Sequence, residues 1–170
     1  KFNNLDITNR ILRITNKRNN KITDFMHKYS RIVVNEAIKL NCNTIIVGNN
    51  KDWKQEVNLG KVTNQNFVSL PFSRFISMLE YKCKLDGINF VTTEESYTSG
   101  TSLLDDELPI NTNYNKSRRV KRGLFRSNEG KFINADLNSA CQIIKKVFPK
   151  AFADGIEGVV LHPVRLNLAN

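Results

Sequence analysis

Thr44-Ile45-Ile46-Val47-Gly48 is a short, continuously apolar run rich in β-branched residues, the pattern of a strand covered on both faces at a sheet centre. A second run, Ile88 to Thr92, has the same character. Before the first run, Ile22, Phe25/Met26, Tyr29, Val33, Ala37 and Leu40 recur at helical spacing. They predict a long amphipathic helix that buries one stripe, turns Lys21, Lys28 and Arg31 outward, and ends at Asn41. Between the runs, Pro71 fits the first turn of a second helix, with Phe72, Phe75, Ile76, Leu79 and Cys83 as its apolar face and Gly87 as its stop. The order helix, strand, helix, strand implies parallel neighbouring strands joined by a crossover helix, hence an α/β layer fold.

Beyond Thr93 a long polar connection carries an acidic cluster, Asp105-Asp106-Glu107, and then a basic one. A connection of that length is characteristically functional or mobile. The last helix is expected to open near Asn134, to present Leu137, Ala140, Cys141, Ile144, Val147 and Phe148 on one face, and to stop at Pro149. Asp136 lies off that stripe. The tail from Ala151 to Asn170 is apolar, with Gly155 and Gly158, and is expected to pack as extended chain.

The 170 residues suffice for one domain of ordinary size. A net charge of +10, from 26 Lys and Arg against 16 Asp and Glu, points to polyanions, nucleic acid first. The charge is clustered, which favours a phosphate track over a uniformly solvated surface. Arg10, Arg13, Lys17, Arg18, Lys21, Lys28 and Arg31 punctuate the first helix, while Lys116, Arg118, Arg119, Lys121, Arg122, Arg126 and Lys131 crowd one short segment. The loop from Asn49 to Asn66 adds Lys51, Lys54 and the only tryptophan, Trp53, which could anchor packing or stack on a base. Cys42, Cys83 and Cys141 are far apart, form no Cys-x-x-Cys pair, and read as small buried hydrophobes of a reducing compartment, with no zinc site. No apolar run is long enough for a bilayer and no signal-peptide pattern opens the chain, so a soluble, cytoplasmic, nucleoid-associated protein without membrane partners is expected.

Two carboxylates stand at element ends with cationic sequence between them: Glu95 in Thr93-Glu94-Glu95-Ser96-Tyr97-Thr98-Ser99, and Asp136 in Asn134-Ala135-Asp136-Leu137-Asn138. A divalent ion that clamps a phosphate needs hard oxygen ligands on rigid elements and a positive approach for the nucleic acid. A Glu after a strand can equally be a solvated loop acid, and an Asp in a first helical turn can simply complement the helix dipole. Spacing alone leaves both readings open.

The chain also resembles a known family. Asp24-Phe25-Met26-His27-Lys28-Tyr29-Ser30-Arg31, Gly48-Asn49-Asn50-Lys51-Asp52-Trp53-Lys54-Gln55, Asn64-Gln65-Asn66-Phe67, Leu79-Glu80-Tyr81-Lys82, Glu95-Ser96-Tyr97-Thr98-Ser99, Lys121-Arg122-Gly123-Leu124-Phe125, Asn134-Ala135-Asp136 and His162-Pro163-Val164-Arg165 follow in the order found in TnpB proteins. These are OrfB-type, transposon-encoded RNA-guided nucleases related to type V CRISPR effectors. The resemblance covers almost the whole chain and is to the C-terminal, RuvC-like nuclease domain.

That resemblance implies an α/β fold of ribonuclease H (RuvC) type lacking its first strands, with flanking helices, over residues 1–170. It implies DNA hydrolysis with two Mg²⁺ or Mn²⁺ ions on three carboxylates. The first family acid lies in a Gly-Ile-Asp-x-Gly strand, and no such sequence precedes Asp24; Asp6 lies in the wrong context to replace it. The second is usually a Glu at the position of Gly48, but a subgroup uses a later glutamate, which matches Glu95; the third matches Asp136. Glu95 and Asp136 are thus the expected catalytic and metal residues, and Lys51, Trp53, Lys54, Arg118, Arg119, Lys121, Arg122 and Arg126 the expected nucleic-acid contacts. The family's zinc finger, about residues 99–133 here, would need cysteines near Ser102, Asp105, Arg126 and Glu129, so no zinc is expected. The implied partners are DNA, a guide RNA, and a second polypeptide or copy that supplies the remaining strands, without which the chain is expected to be inactive. Two alternatives are a nuclease-inactive RNA-guided DNA-binding regulator and a truncated transposase remnant.

Overall fold

The computed structural model describes residues 8–49, 71–153 and 155. Lys51, Trp53, Lys54, Asp6 and nearly all of the apolar tail lie outside the described residues. The elements run α1 (Asn9–Lys39), β1 (Thr44–Gly48), α2 (Phe72–Leu85), β2 (Asn89–Thr93), β3 (Arg119–Lys121), β4 (Leu124–Arg126), β5 (Phe132–Asn134) and α3 (Ala135–Val147). The chain forms two compact units, one of residues 1–45 and 52–90 and the other of residues 46–51 and 91–170. The fold is mixed α/β with small sheets. No helix among the described residues is long and apolar enough to cross a membrane.

In the first unit α1 packs on α2. Thr8 caps α1, its hydroxyl accepting from the Ile11 N–H at 3.3 Å. Both helices close on the same device: a residue in the left-handed conformation, Asn41 (φ 54) or Gly87 (φ 71), whose successor donates back across the last turn. Cys42 N–H reaches the Ala37 carbonyl at 2.8 Å and Ile88 N–H the Cys83 carbonyl at 2.8 Å. These turns aim the chain directly into β1 and β2. Cys42 is exposed there, unlike the buried Cys83 and Cys141, because the turn carries it along the surface.

On α2 the expected Leu79 and Cys83 are buried, but the apolar stripe of α1 is rotated by about one residue from the expectation. α1 buries Met26, Ser30, Val34 and Ala37, while Phe25, Val33 and Leu40 are exposed. α2 buries Met78, Leu79, Lys82 and Cys83. The rotation has a polar cause: Lys82 Nζ donates to the His27 carbonyl at 2.6 Å and to the Ser30 hydroxyl at 2.6 Å. Helix spacing could not reveal it, since a lysine and a serine are scored as solvent residues by pattern alone.

β1 and β2 pair in a two-stranded sheet. Asn89 N–H donates to the Asn43 carbonyl at one end and Asn49 N–H to the Thr93 carbonyl at the other, so the strands run parallel, as the element order requires. All five residues of β1 are half-buried.

In the second unit β3, β4 and β5 form an antiparallel sheet in that order. Within the long polar connection that was expected to be functional or mobile, residues 119–134 form two hairpins. Phe125 and Ile133, cross-strand partners, are fully buried and join Leu103, Ala135 and Cys141 in one core. α3 buries Ala135, Asn138, Cys141, Gln142 and Lys145, whereas Ala140 and Phe148 of the expected stripe are exposed.

Burial, and then the Arg31 charge, push the Lys82 ammonium below its ordinary pKa. The folded state therefore resists protonation: stability is full above the unfolded lysine pKa and is lost as pH falls towards the folded one. The thermal midpoint should rise as pH climbs towards the ordinary lysine value of 10.5, and Lys82→Met should flatten that rise in a circular-dichroism series. An equal slope in the variant would show that Lys82 is not the titrating group.

Candidate functional site

Glu95 follows β2 by two residues, and β2 lies beside β1, whose last residue is Gly48. A Cβ placed on Gly48 would collide with Glu95 Cγ and lie 2.6 Å from Glu95 Oε1. The space at the end of β1 is thus filled by the Glu95 side chain, and only glycine leaves room for it. The residues after Glu95 fold back at once, with Thr98 donating from N–H (3.2 Å) and hydroxyl (2.8 Å) to the Glu95 carbonyl. This fixes the direction in which the Glu95 backbone leaves the strand.

Asp136 is the second residue of α3. Asn134 caps the helix, its Oδ1 accepting from the Asp136 N–H at 2.9 Å and from the Leu137 N–H at 3.1 Å. The carboxylate points to solvent, 84% exposed, with Arg119 Nη2 at 3.5 Å. The hairpin turn at residues 122–123 is tied to this helix start, because Ala135 N–H donates to the Gly123 carbonyl at 3.1 Å. Helix dipole and hairpin together set a positive field around the acid. Among the described residues, no group of three or more His, Cys, Asp and Glu is placed to hold a metal ion.

The basic residues of the segment 118–126 divide into two kinds. Arg119, Lys121, Arg122 and Arg126 are exposed on the hairpins. Arg118 is not: its guanidinium, 14% exposed, donates to Glu107 Oε2 at 2.5 Å and Oε1 at 2.9 Å, and to Asn128 Oδ1 at 2.8 Å. Glu107 also accepts from the Ser102 N–H at 2.9 Å, and the Asp105 carboxylate accepts from the Asn128 N–H at 2.8 Å. Residues 102–107 and 118–128 are thereby clamped by a polar network around one ion pair. Two of the positions where cysteines would have been needed, Ser102 and Asp105, take part in it.

Sequence reasoning missed a second polar seam. Asn138 accepts from the Leu103 N–H at 2.9 Å and donates to the Thr101 carbonyl at 2.8 Å; Gln142 donates to the Glu107 carbonyl at 3.2 Å; Lys145 donates to the Asp106 carbonyl at 3.0 Å. The spacing Asn138, Gln142, Lys145 was the available signal, a polar row at helical period facing a loop rich in unpaired carbonyls.

Comparison with known proteins fits this arrangement. Residues 72–143 match the family described as Cas12f1-like, TNB domain. Among solved structures the chain is similar to a cryo-EM structure of the Cas12f1-sgRNA-target DNA complex, with a TM-score of 0.61 and 21% identity over 79% of this chain. The match takes in 36% of that chain, so the present sequence spans about a third of its relative's length. No curated protein matches. The described residues therefore have a Cas12f1-like fold.

Burial raises the Glu107 carboxyl's pKa, but the hydrogen bond and charge of Arg118, with the Ser102 and Asn128 donors, outweigh it and hold the group below its ordinary value. Its stabilising contribution is present above the unfolded pKa and is lost as pH falls through the folded one. Glu107→Gln should cost about 2–3 kcal/mol in denaturant unfolding, less than the ~3–5 of a fully buried pair because one rim is wet, and should remove part of the acid sensitivity below about pH 4. A cost within about 0.5 kcal/mol, the range of ordinary surface substitutions, would show that the clamp is ornamental.

Proposed function

We propose that this chain is part of the nuclease domain of an RNA-guided, metal-dependent DNA endonuclease of transposon origin, with Glu95 and Asp136 as two of its metal-holding carboxylates. The observation that carries the reading is the interlock of Gly48 and Glu95: the strand-end position gives up its own side chain, and a glutamate from beyond the neighbouring strand fills that space. The Cas12f1-like fold supports the class, as does the cationic hairpin that starts beside Asp136.

Both carboxylates supply the hard oxygen donors that Mg²⁺ or Mn²⁺ requires. When bound, such an ion pair lowers the pKa of an attacking water and stabilises the leaving oxygen. The chain's own contribution is positional. β2 and the turn after it hold Glu95, the Asn134 cap holds Asp136, and Arg119, Lys121, Arg122 and Arg126 attract the phosphate backbone. Lys51, Trp53 and Lys54 extend that contact in the same proposal, and sequence selection rests on a guide RNA rather than on protein contacts to bases. A second polypeptide or copy supplying further sheet strands belongs to the reading, as does a cytoplasmic, nucleoid-associated location.

One observation favours a second reading. Arg119 stands 3.5 Å from Asp136, where a cation competes with a metal for the same oxygen, as suits a nuclease-inactive, RNA-guided DNA-binding regulator. Cleavage separates the two. With guide RNA, Mg²⁺ and a polypeptide carrying the first acidic strand, the chain should cut a matched target, and Glu95→Gln or Asp136→Asn should abolish cutting without abolishing binding. Gly48→Ala should imitate Glu95→Gln, and both should weaken Mn²⁺ binding followed by paramagnetic relaxation. Target binding without cutting would establish the regulator instead.

The triple change of Arg119, Lys121 and Arg122 to Ala should flatten the dependence of log affinity on log salt by up to about 2.7 on duplex DNA, about 0.9 for each phosphate that is no longer neutralised. An unchanged slope would make these charges a solvated face only.

A further inference from the structure

Two tyrosines beside Glu95 are placed in a way that the fold does not require. Tyr97 has φ 66, a left-handed backbone that a bulky side chain rarely adopts and that costs conformational energy without adding buried contacts. Its ring is 40% exposed. It stands edge-on to Tyr114, 37% exposed, with ring centroids 5.8 Å apart and planes at 70°. Neither ring belongs to the core formed by Leu103, Phe125, Ile133, Ala135 and Cys141.

The pair is nevertheless rigidly held. The Tyr97 carbonyl accepts from the Thr101 hydroxyl at 2.9 Å, and Asn115 N–H donates to the Gly100 carbonyl at 3.0 Å, which fixes Tyr114 against the turn. The Tyr114 ring lies so close to Gly100 that a Cβ there would come within 2.5 Å of Cε2. Two lysines lie close to the pair along the chain or through a neighbour. The Lys146 ammonium donates to the Ser96 hydroxyl at 2.7 Å, one residue from Tyr97, and the basic run begins at Lys116, two residues after Tyr114.

We infer that the Tyr97 ring, braced edge-on by Tyr114, is a stacking surface for an unpaired base of single-stranded nucleic acid, next to the position assigned to Glu95. The inference rests on the proposed nucleic-acid function and adds the side chain that would meet a base. A rigid, solvent-facing aromatic ring flanked by cations suits a base whose π-face is open, and in a duplex those faces are already stacked on their neighbours. Lys146 and Lys116 meet the phosphates on either side. Stacking makes the platform tolerant of base identity, since every base has a π-face.

The test uses two oligodeoxynucleotides of equal length and charge, one with bases and one wholly abasic, bound to the complete chain at fixed salt. The chain should prefer the base-containing strand. Tyr97→Gly suits the positive φ and so keeps the fold, which a thermal midpoint no lower than that of the parent would confirm. It should weaken binding of the base-containing strand about tenfold, within the range of base–aromatic stacking, and leave abasic binding unchanged. Tyr97→Phe should retain the parent's preference. Equal loss on both strands, or no loss on either, would overturn the platform while leaving the nucleic-acid reading intact. Failure of the parent chain to bind either strand would sink that reading and the platform with it.

Discussion

A buried segment without regular structure must still satisfy its backbone, and that constraint governs the second unit. Thr98, Thr101, Ser102 and Leu103 are buried although residues 98–109 form neither helix nor strand. Their N–H and C=O groups have no ladder to join, and each one left unpaired would cost about 1–3 kcal/mol. α3 answers with a row of polar side chains beside its apolar face. Asn138 reaches the groups of Thr101 and Leu103, Gln142 that of Glu107 and Lys145 that of Asp106, so helix and loop are tied at both ends. Since α3 carries Asp136 in its first turn, the seam that pins the loop fixes the helix that carries the candidate acid.

The ion pair of Arg118 with Glu107 extends the same logic to the hairpins. A metal would close such a loop strongly because ligand and fold form together. An ion pair is a weaker closure, since removing two charges from water offsets most of their attraction. The structure compensates by adding neutral partners: Asn128 bonds both members, and Ser102 and Asp105 bring in backbone. Such a clamp is independent of redox state and of metal supply, and it is sensitive to acid where a zinc site would be sensitive to chelators.

Much of the fold was legible because its elements obey local rules. The two apolar runs became parallel strands, Asn41 and Gly87 ended their helices, and the crossover followed from element order. The hairpins of residues 119–134 were hidden by their three-residue strands, in which only Phe125 and Ile133 are buried. The helix stripes were misplaced wherever a polar side chain was buried by a bond to backbone, as at Lys82 and Asn138, because a periodicity of apolar residues carries no information about carbonyls waiting across an interface. Of the basic cluster, sequence could not distinguish Arg118, consumed by Glu107, from its exposed neighbours Arg119 and Arg122.

The interlock at Gly48 follows from the way the two parallel strands end. Parallel neighbours β1 and β2 end side by side, so a side chain leaving the chain just after β2 can occupy the volume above the last residue of β1, provided that residue has no Cβ. A glutamate at the end of β1 and one beyond β2 are therefore mutually exclusive tenants of one site. Gly48, by having no Cβ, is the condition for the Glu95 side chain to stand where it does.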